Sequence, residues 1–200
     1  DTVVEKRFPV LKRKEYGSVL FLGSIQTGLA YALQYIAMIR AASINCSILN
    51  GTGVIFSTIF AHLLFPDDRL TLKKAVGAIV GFMGVLVCFL WGGKGESFTF
   101  FGEGLELISI ITFVFGSNIS RLITKDIKPV VASGYNLLIG GFELFVLGLI
   151  LGGRIGWGGF YGLLCLVFLS LTSSLCLYLW TALIKENTVS RIAVFQCVNP

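Results

Sequence analysis

Residues 17–39 read GSVLFLGSIQTGLAYALQYIAMI, twenty-three positions without an Asp, Glu, Lys or Arg. Arg40 interrupts, and residues 41–65 add twenty-five more that are charge-free apart from His62. A helix satisfies its own backbone and rises ~1.5 Å per residue, so roughly 20 apolar residues carry it across a bilayer's hydrocarbon core. Two such runs joined by one basic residue predict a tight transmembrane hairpin. Working outward, four further runs are long enough: 75–93, 102–122, 129–151 and 158–184. The fourth carries Glu103 and Glu106 early and Arg121 late, the fifth is charged only at Glu143, and the sixth is uncharged. A seventh run starts near Ile192 and reaches Pro200. Barrel strands would alternate apolar and polar residues in segments of about ten. These runs are continuous, so the expected fold is an all-α polytopic transmembrane bundle of six complete helices and the start of another.

Composition agrees. Of 200 residues 55% are hydrophobic and 14% charged, against roughly 25% charged in soluble domains. Mean hydropathy is +0.85. The net charge of +5 does not imply nucleic acid, because the basic residues fall in the connections between apolar runs. Connections on alternate sides of the membrane hold 13 Lys and Arg against 3. The richer side is cytoplasmic, which makes residues 1–16 a cytoplasmic loop. That segment lacks the short apolar core and small-residue cleavage site of a signal peptide. Both ends of the sequence read as cuts in a longer chain. The five cysteines, Cys46, Cys88, Cys165, Cys176 and Cys197, all lie in apolar runs without a C-x-x-C pair and read as packing residues. With one histidine, no metal or cofactor site is expected. Residues 92–95, GGKG, lack the spacing of a phosphate-binding loop.

The chain also repeats itself. Residues 35–40 (YIAMIR) and 180–185 (WTALIK) share the order aromatic, any, Ala, apolar, Ile, basic. Five helices separate the two copies, an odd number, so they point in opposite directions. Inverted repeats around a midplane site are an architecture of secondary transporters.

The stretch from Arg69-Leu70-Thr71 through Gly77 and Gly81 to Gly84 resembles the signature segment of the EamA family of the drug/metabolite transporter superfamily. Ala37-Met38-Ile39-Arg40 is similar to that family's hairpin between its third and fourth helices. Gly102-Glu103 through Phe113 to Ser120-Arg121 resembles the opening of its second repeat. Residues 189–193, with Asn199-Pro200, resemble the start of its ninth helix. The resemblance implies ten helices in two inverted five-helix repeats, of which this sequence would hold helices three to eight and the start of nine. Residues 17–93 would close the first repeat, 94–101 would be the linker, and 102–200 would open the second. Val54 stands where the family's fourth helix has proline, with Gly51 and Gly53 beside it to soften the helix.

Candidate functional residues are polar groups that are costly to bury. Glu143 lies close to mid-depth in its run, and intramembrane acids face bundle interiors or cavities. Ser133, Asn136, Gly140 and Glu143 share one helical face. Glu143 is the proton-coupling or ammonium-binding candidate, weighed against a structural acid at a packing seam. Glu103 and Glu106 read as acids placed where a helix start favours them, with attraction of cations at an entrance as the other reading. Gln34, Asn45, Asn50, Asn118 and Asn136 are candidates for a cavity wall. The family resemblance adds Trp180 and Thr181 on its eighth helix, with Trp180 and Tyr35 also readable as interfacial anchors. The function so implied is secondary transport, directed outward, of a small metabolite such as an amino acid across a bacterial cytoplasmic membrane. The alternative is a non-transporting scaffold or sensor. No catalytic set is present, so an enzyme is not expected. The expected partners are lipid and a small-molecule substrate, with a homo-oligomer allowed and no nucleic acid.

Overall fold

The computed structural model describes residues 15–68, 71–92, 99–125, 127–153 and 158–187, with the single positions 156, 189 and 192. Six helical segments follow in order. We label them α1 (Glu15–Met38), α2 (Ser43–Asn50 continuing as Gly53–Leu64), α3 (Leu72–Gly92), α4 (Phe100–Ile123), α5 (Pro129–Ile150) and α6 (Gly159–Glu186). Each lies within three residues of an apolar run in the sequence. Five are long and apolar enough to cross a membrane, and α3, at 21 residues, is ~30 Å long. No strand occurs among the described residues. The chain is therefore a multi-pass helical membrane protein. The loop over 1–14, linker residues 93–98 and most of the seventh run lie outside the described residues.

Local chemistry sets the helix ends. Lys128 is extended (φ −64°, ψ 135°) and Pro129 opens α5, where its missing N–H removes nothing and its fixed φ suits the helix. Helix α2 breaks at Gly51–Thr52, and the Thr52 hydroxyl donates to the Leu49 carbonyl at 2.7 Å. The break forms without the proline for which Val54 stands. Helix α1 widens into a π turn over Gly23–Leu29, an irregularity frequent at functional sites.

Helix α4 is central, packing on α1, α2 and α6; α1 also packs on α5, and α3 packs on α2. Two apolar clusters hold the end of the bundle that carries Pro66. Val19, Ile127, Val131 and Ala132 join α1, α5 and the connection after α4. Ala61, Phe65, Ile184, Val189 and Ile192 join the ends of α2 and α6. At the same end Arg121 lies 4.5 Å from the Phe65 ring centre and pairs with Asp67 at 2.9 Å. At the opposite end, marked by Arg40, that guanidinium lies 5.9 Å from the Phe101 ring centre.

Between the two ends the helices touch through small and polar residues. A Cβ at Gly140 of α5 would stand 2.4 Å from the Thr27 Cβ and 2.8 Å from the Gly28 nitrogen of α1. Only glycine permits that approach, which is how membrane helices gain contact where apolar burial offers no drive.

Candidate functional site

Glu103 and Glu106 open α4 at the Arg40 end, and both turn inward. Glu103 is 2% exposed and Glu106 is fully buried. Their spacing of three puts them one turn apart on the same face. Helix α2 supplies Asn45 and Asn50, five positions apart and so more than one turn apart along the helix. Asn45 Nδ2 donates to Glu103 Oε1 at 3.0 Å, and Asn50 Nδ2 donates to Glu106 Oε1 at 3.1 Å. Gln34 of α1 adds a longer contact to the same Glu106 oxygen at 3.4 Å. Glu103 Oε2 is closed off by the Thr99 backbone N–H and hydroxyl, at 2.9 and 2.8 Å. Glu106 Oε2 meets no donor among the described residues.

A cavity of about 250 Å³ opens among α1, α2 and α4, and neither Glu103 nor Glu106 is among its lining residues. Gln34 and Asn50 line it, with Tyr31, Ser109 and Phe113. The Ser109 hydroxyl is engaged with the Ala30 carbonyl at 2.8 Å. Thus the two amides that hold Glu106 are also cavity walls.

The other expected residues fall in different places. Asn136 lies in the seam between α5 and α1, donating to Gln26 Oε1 at 2.9 Å and accepting from the Thr27 hydroxyl at 2.7 Å. Glu143 lies further along that seam, half-buried, and accepts from the Ser24 hydroxyl at 2.5 Å. Asn118 is buried but donates to its own helix, to the Val114 carbonyl at 2.9 Å. Thr181 likewise bonds the Leu177 carbonyl. Trp180 Nε1 donates to the Ser117 hydroxyl at 2.8 Å, joining α6 to α4. The structure therefore brings Gln34 and Asn50 together at the cavity, sets Asn45 one turn nearer the Arg40 end, and leaves the remaining candidates elsewhere.

Two functional candidates escaped the cavity-wall reading: Glu106, and Gln26 with its buried, unpartnered Nε2. For Glu106 a signal existed. Acids at an exposed helix start have no need of amides at matching depth on two neighbouring helices, and Gln34, Asn45 and Asn50 supply them. Gln26 carried the same polar signal as Gln34, near the middle of an apolar run.

The described residues form a multi-pass helical bundle in which the amides of Gln34 and Asn50 stand on the wall of a cavity among α1, α2 and α4. Residues 3–90 match the model of the EamA-like transporter family. Over 196 residues, 94% of this chain, the sequence is 25% identical to 63% of the uncharacterized transporter YyaM of Bacillus subtilis. Over 195 residues, 95% of the chain, it is 23% identical to 67% of an uncharacterized transporter of Archaeoglobus fulgidus. The chain spans about two thirds of the length of these relatives. Residues 3–90 are thus similar to the EamA-like transporter family, and most of the chain is similar to two uncharacterized transporters.

Proposed function

We propose that this chain forms part of a secondary transporter that moves a small metabolite, an amino acid or a related compound, outward across a bacterial cytoplasmic membrane. The mechanism is alternating access, in which two inverted halves, 17–93 and 102–200 divided by the linker 94–101, rock around a central site. The Lys and Arg distribution supports an orientation with residues 1–16 and the Pro66 end in the cytoplasm. No phosphate-binding loop occurs in these 200 residues, so an ion gradient or the substrate's own gradient supplies the drive. Gln34, Asn45, Asn50, Asn118, Asn136, Trp180 and Thr181 are proposed along the substrate path, and Glu143 as the coupling acid.

One observation carries this reading: a 250 Å³ space walled by Gln34, Asn50 and Ser109 inside an apolar bundle. Helices that only pack together close such spaces, since interiors reach crystal-like density. A polar void kept among them is what a solute needs.

The test is exchange of a pool of labelled amino acids and other small metabolites by the full-length protein in liposomes, with and without a pH gradient. Saturable uptake supports the reading. Uptake of nothing in the pool overturns it and favours a scaffold or sensor, whose cellular role would survive Gln34→Leu and Asn50→Leu.

A further inference from the structure

The hydrogen-bond donors on the cavity wall are largely spent. An Asn amide has two hydrogens, and those of Asn50 go to the Cys46 carbonyl at 3.0 Å and to Glu106 Oε1 at 3.1 Å. The single hydroxyl hydrogen of Ser109 goes to the Ala30 carbonyl at 2.8 Å. Amide and hydroxyl oxygens keep their lone pairs. Any bond that Asn50 or Ser109 makes to an occupant is therefore one it accepts. Gln34 gives an amide hydrogen to Glu106 at 3.4 Å; with Tyr31, it can still give or take. The wall thus asks for an occupant that carries N–H or O–H groups.

Charge decides the rest. No residue lining the cavity is acidic or basic. An anion would give up its water to face lone pairs, with no cation on the wall to replace it. A cation would meet neutral dipoles and rings, because neither Glu103 nor Glu106 lines the space. Ring faces attract a cation by less than dehydrating it costs. Tyr31 and Phe113, their ring centres 6.2 Å apart, suit a flat or apolar part of an uncharged solute instead. The volume of about 250 Å³ falls just under the ~300–1,000 Å³ typical of sites for drug-sized ligands, so the occupant is small.

We infer that the cavity among α1, α2 and α4 binds a small uncharged solute that donates N–H or O–H bonds to Asn50, Ser109 and Gln34 and lays its carbon skeleton against Tyr31 and Phe113. This rests on the transporter reading above and narrows its solute, among compounds related to amino acids, to those without a charge, such as an amide or an alcohol.

The probes share one shape. Benzamide is uncharged and donates, acetophenone is uncharged and cannot donate, benzoate is an anion and benzamidinium a cation. Binding is read as the rise in thermal unfolding midpoint of the full-length protein in detergent, over the same millimolar range for each. Benzamide is expected to raise the midpoint. Acetophenone is expected to need at least tenfold more for the same shift, since a site built to hydrogen-bond its solute rejects the analogue that lacks the group. The two ions are expected to need at least tenfold more because the wall offers no countercharge. This ranking is measured on the wild-type protein and needs no variant. Gln34→Leu and Ser109→Ala are each expected to narrow the preference for benzamide over acetophenone at least threefold, a change in selectivity that a loss of stability alone does not produce. A shift from acetophenone, benzoate or benzamidinium equal to that from benzamide, no shift from any of the four, or a preference untouched in both variants would each overturn the inference. Exchange of charged metabolites alone, by the full-length protein in liposomes, overturns it and keeps the transporter. The expected ranking without exchange of any solute overturns the transporter reading and keeps the site.

Discussion

Asn50 Nδ2 stands 3.1 Å from Oε1 of Glu106, across two helices and 56 positions of sequence. The amide also donates to the Cys46 carbonyl at 3.0 Å, so Asn50 ties its own helix and the neighbouring acid at once. Replacing Asn50 by Leu strips a donor from a buried carboxylate. Interhelical polar contacts in membranes are worth less than their counterparts in water, so the expected loss is about 1–2 kcal/mol. Replacing Asn50 and Glu106 together by Leu removes this pair, leaves Gln34 without its longer contact to the acid, and is expected to recover most of the stability lost in Asn50→Leu. Thermal unfolding of the single and double variants checks this. Additive losses would show that the pair is not coupled.

The contact between α1 and α5 predicts a contrast among glycines of one helix. Gly140 meets Thr27 and the Gly28 backbone, whereas Gly134 and Gly141 have nothing within 4 Å of an added Cβ. Gly140→Ala must push backbone apart and is expected to cost about 1–3 kcal/mol. Gly134→Ala and Gly141→Ala are expected to be neutral or to stabilise slightly, by up to about 1 kcal/mol, because alanine restricts the unfolded chain and favours helix. Melting curves of the three single variants decide it, with equal effects at all three positions counting against the packing described.

Much of this arrangement is legible from the sequence, and the reason differs by residue. The helical segments stand out because a bilayer demands about 20 apolar residues in a row, and five of the six are long and apolar enough to cross it. The face Ser133, Asn136, Gly140 and Glu143 stands out because polar and small residues recur at helical spacing. In the structure it packs on α1 through Gly140, Asn136 and Glu143. What does not stand out is rotation. Helix α4 is apolar on several sides, so nothing local says whether Glu106 meets headgroups or the bundle interior, and its partners sit 56 and 72 positions away. Side-chain torsion is equally silent: Asn118 and Thr181 are buried as their polarity in a bundle suggests, yet both turn onto their own backbones. The π turn in α1 arises where Gly23 and Gly28 meet α5, a contact made only in the assembled bundle.

At the Pro66 end, Arg121 holds the Asp67 carboxyl below its ordinary value of 3.8 by hydrogen bonding to it. A depressed carboxylate contributes stability above its unfolded pKa and loses it as pH falls through the folded one. The contribution is therefore constant from pH 5 to 8 and fades below about pH 4. Asp67 is exposed, so the effect is small and screened by salt. Asp67→Asn is expected to change the unfolding midpoint only slightly at pH 7 and to flatten its fall at acid pH. A large loss at pH 7 would mean that Asp67 has a further structural role.

Trp180 reaches Ser117 at 2.8 Å, which makes it a link between α6 and α4 as well as an aromatic near a helix end. Ser117→Ala removes the acceptor and is expected to cost about 0.5–1.5 kcal/mol. Trp180→Phe is expected to lose that contribution together with part of the ring's burial. With every other tryptophan of the protein replaced by Phe, the emission of Trp180 alone should shift on Ser117→Ala. An unshifted spectrum and an unchanged melting point would leave Trp180 as an interfacial anchor.

The Ser24 hydroxyl donates to Glu143 at 2.5 Å, placing a titratable acid against the π turn of α1. If Glu143 couples transport to protons, its charge must change as the seam between α1 and α5 moves. Glu143→Gln keeps the shape and can still meet Ser24, so exchange of substrate down its own gradient should persist. Acceleration by a pH gradient should vanish, because no proton is taken up or released at that site. Uptake by the full-length protein in liposomes, measured across pH and with an imposed gradient, separates these outcomes. Gradient-driven uptake that survives in Glu143→Gln would assign the acid to packing between α1 and α5, where Gly28 already makes room for it.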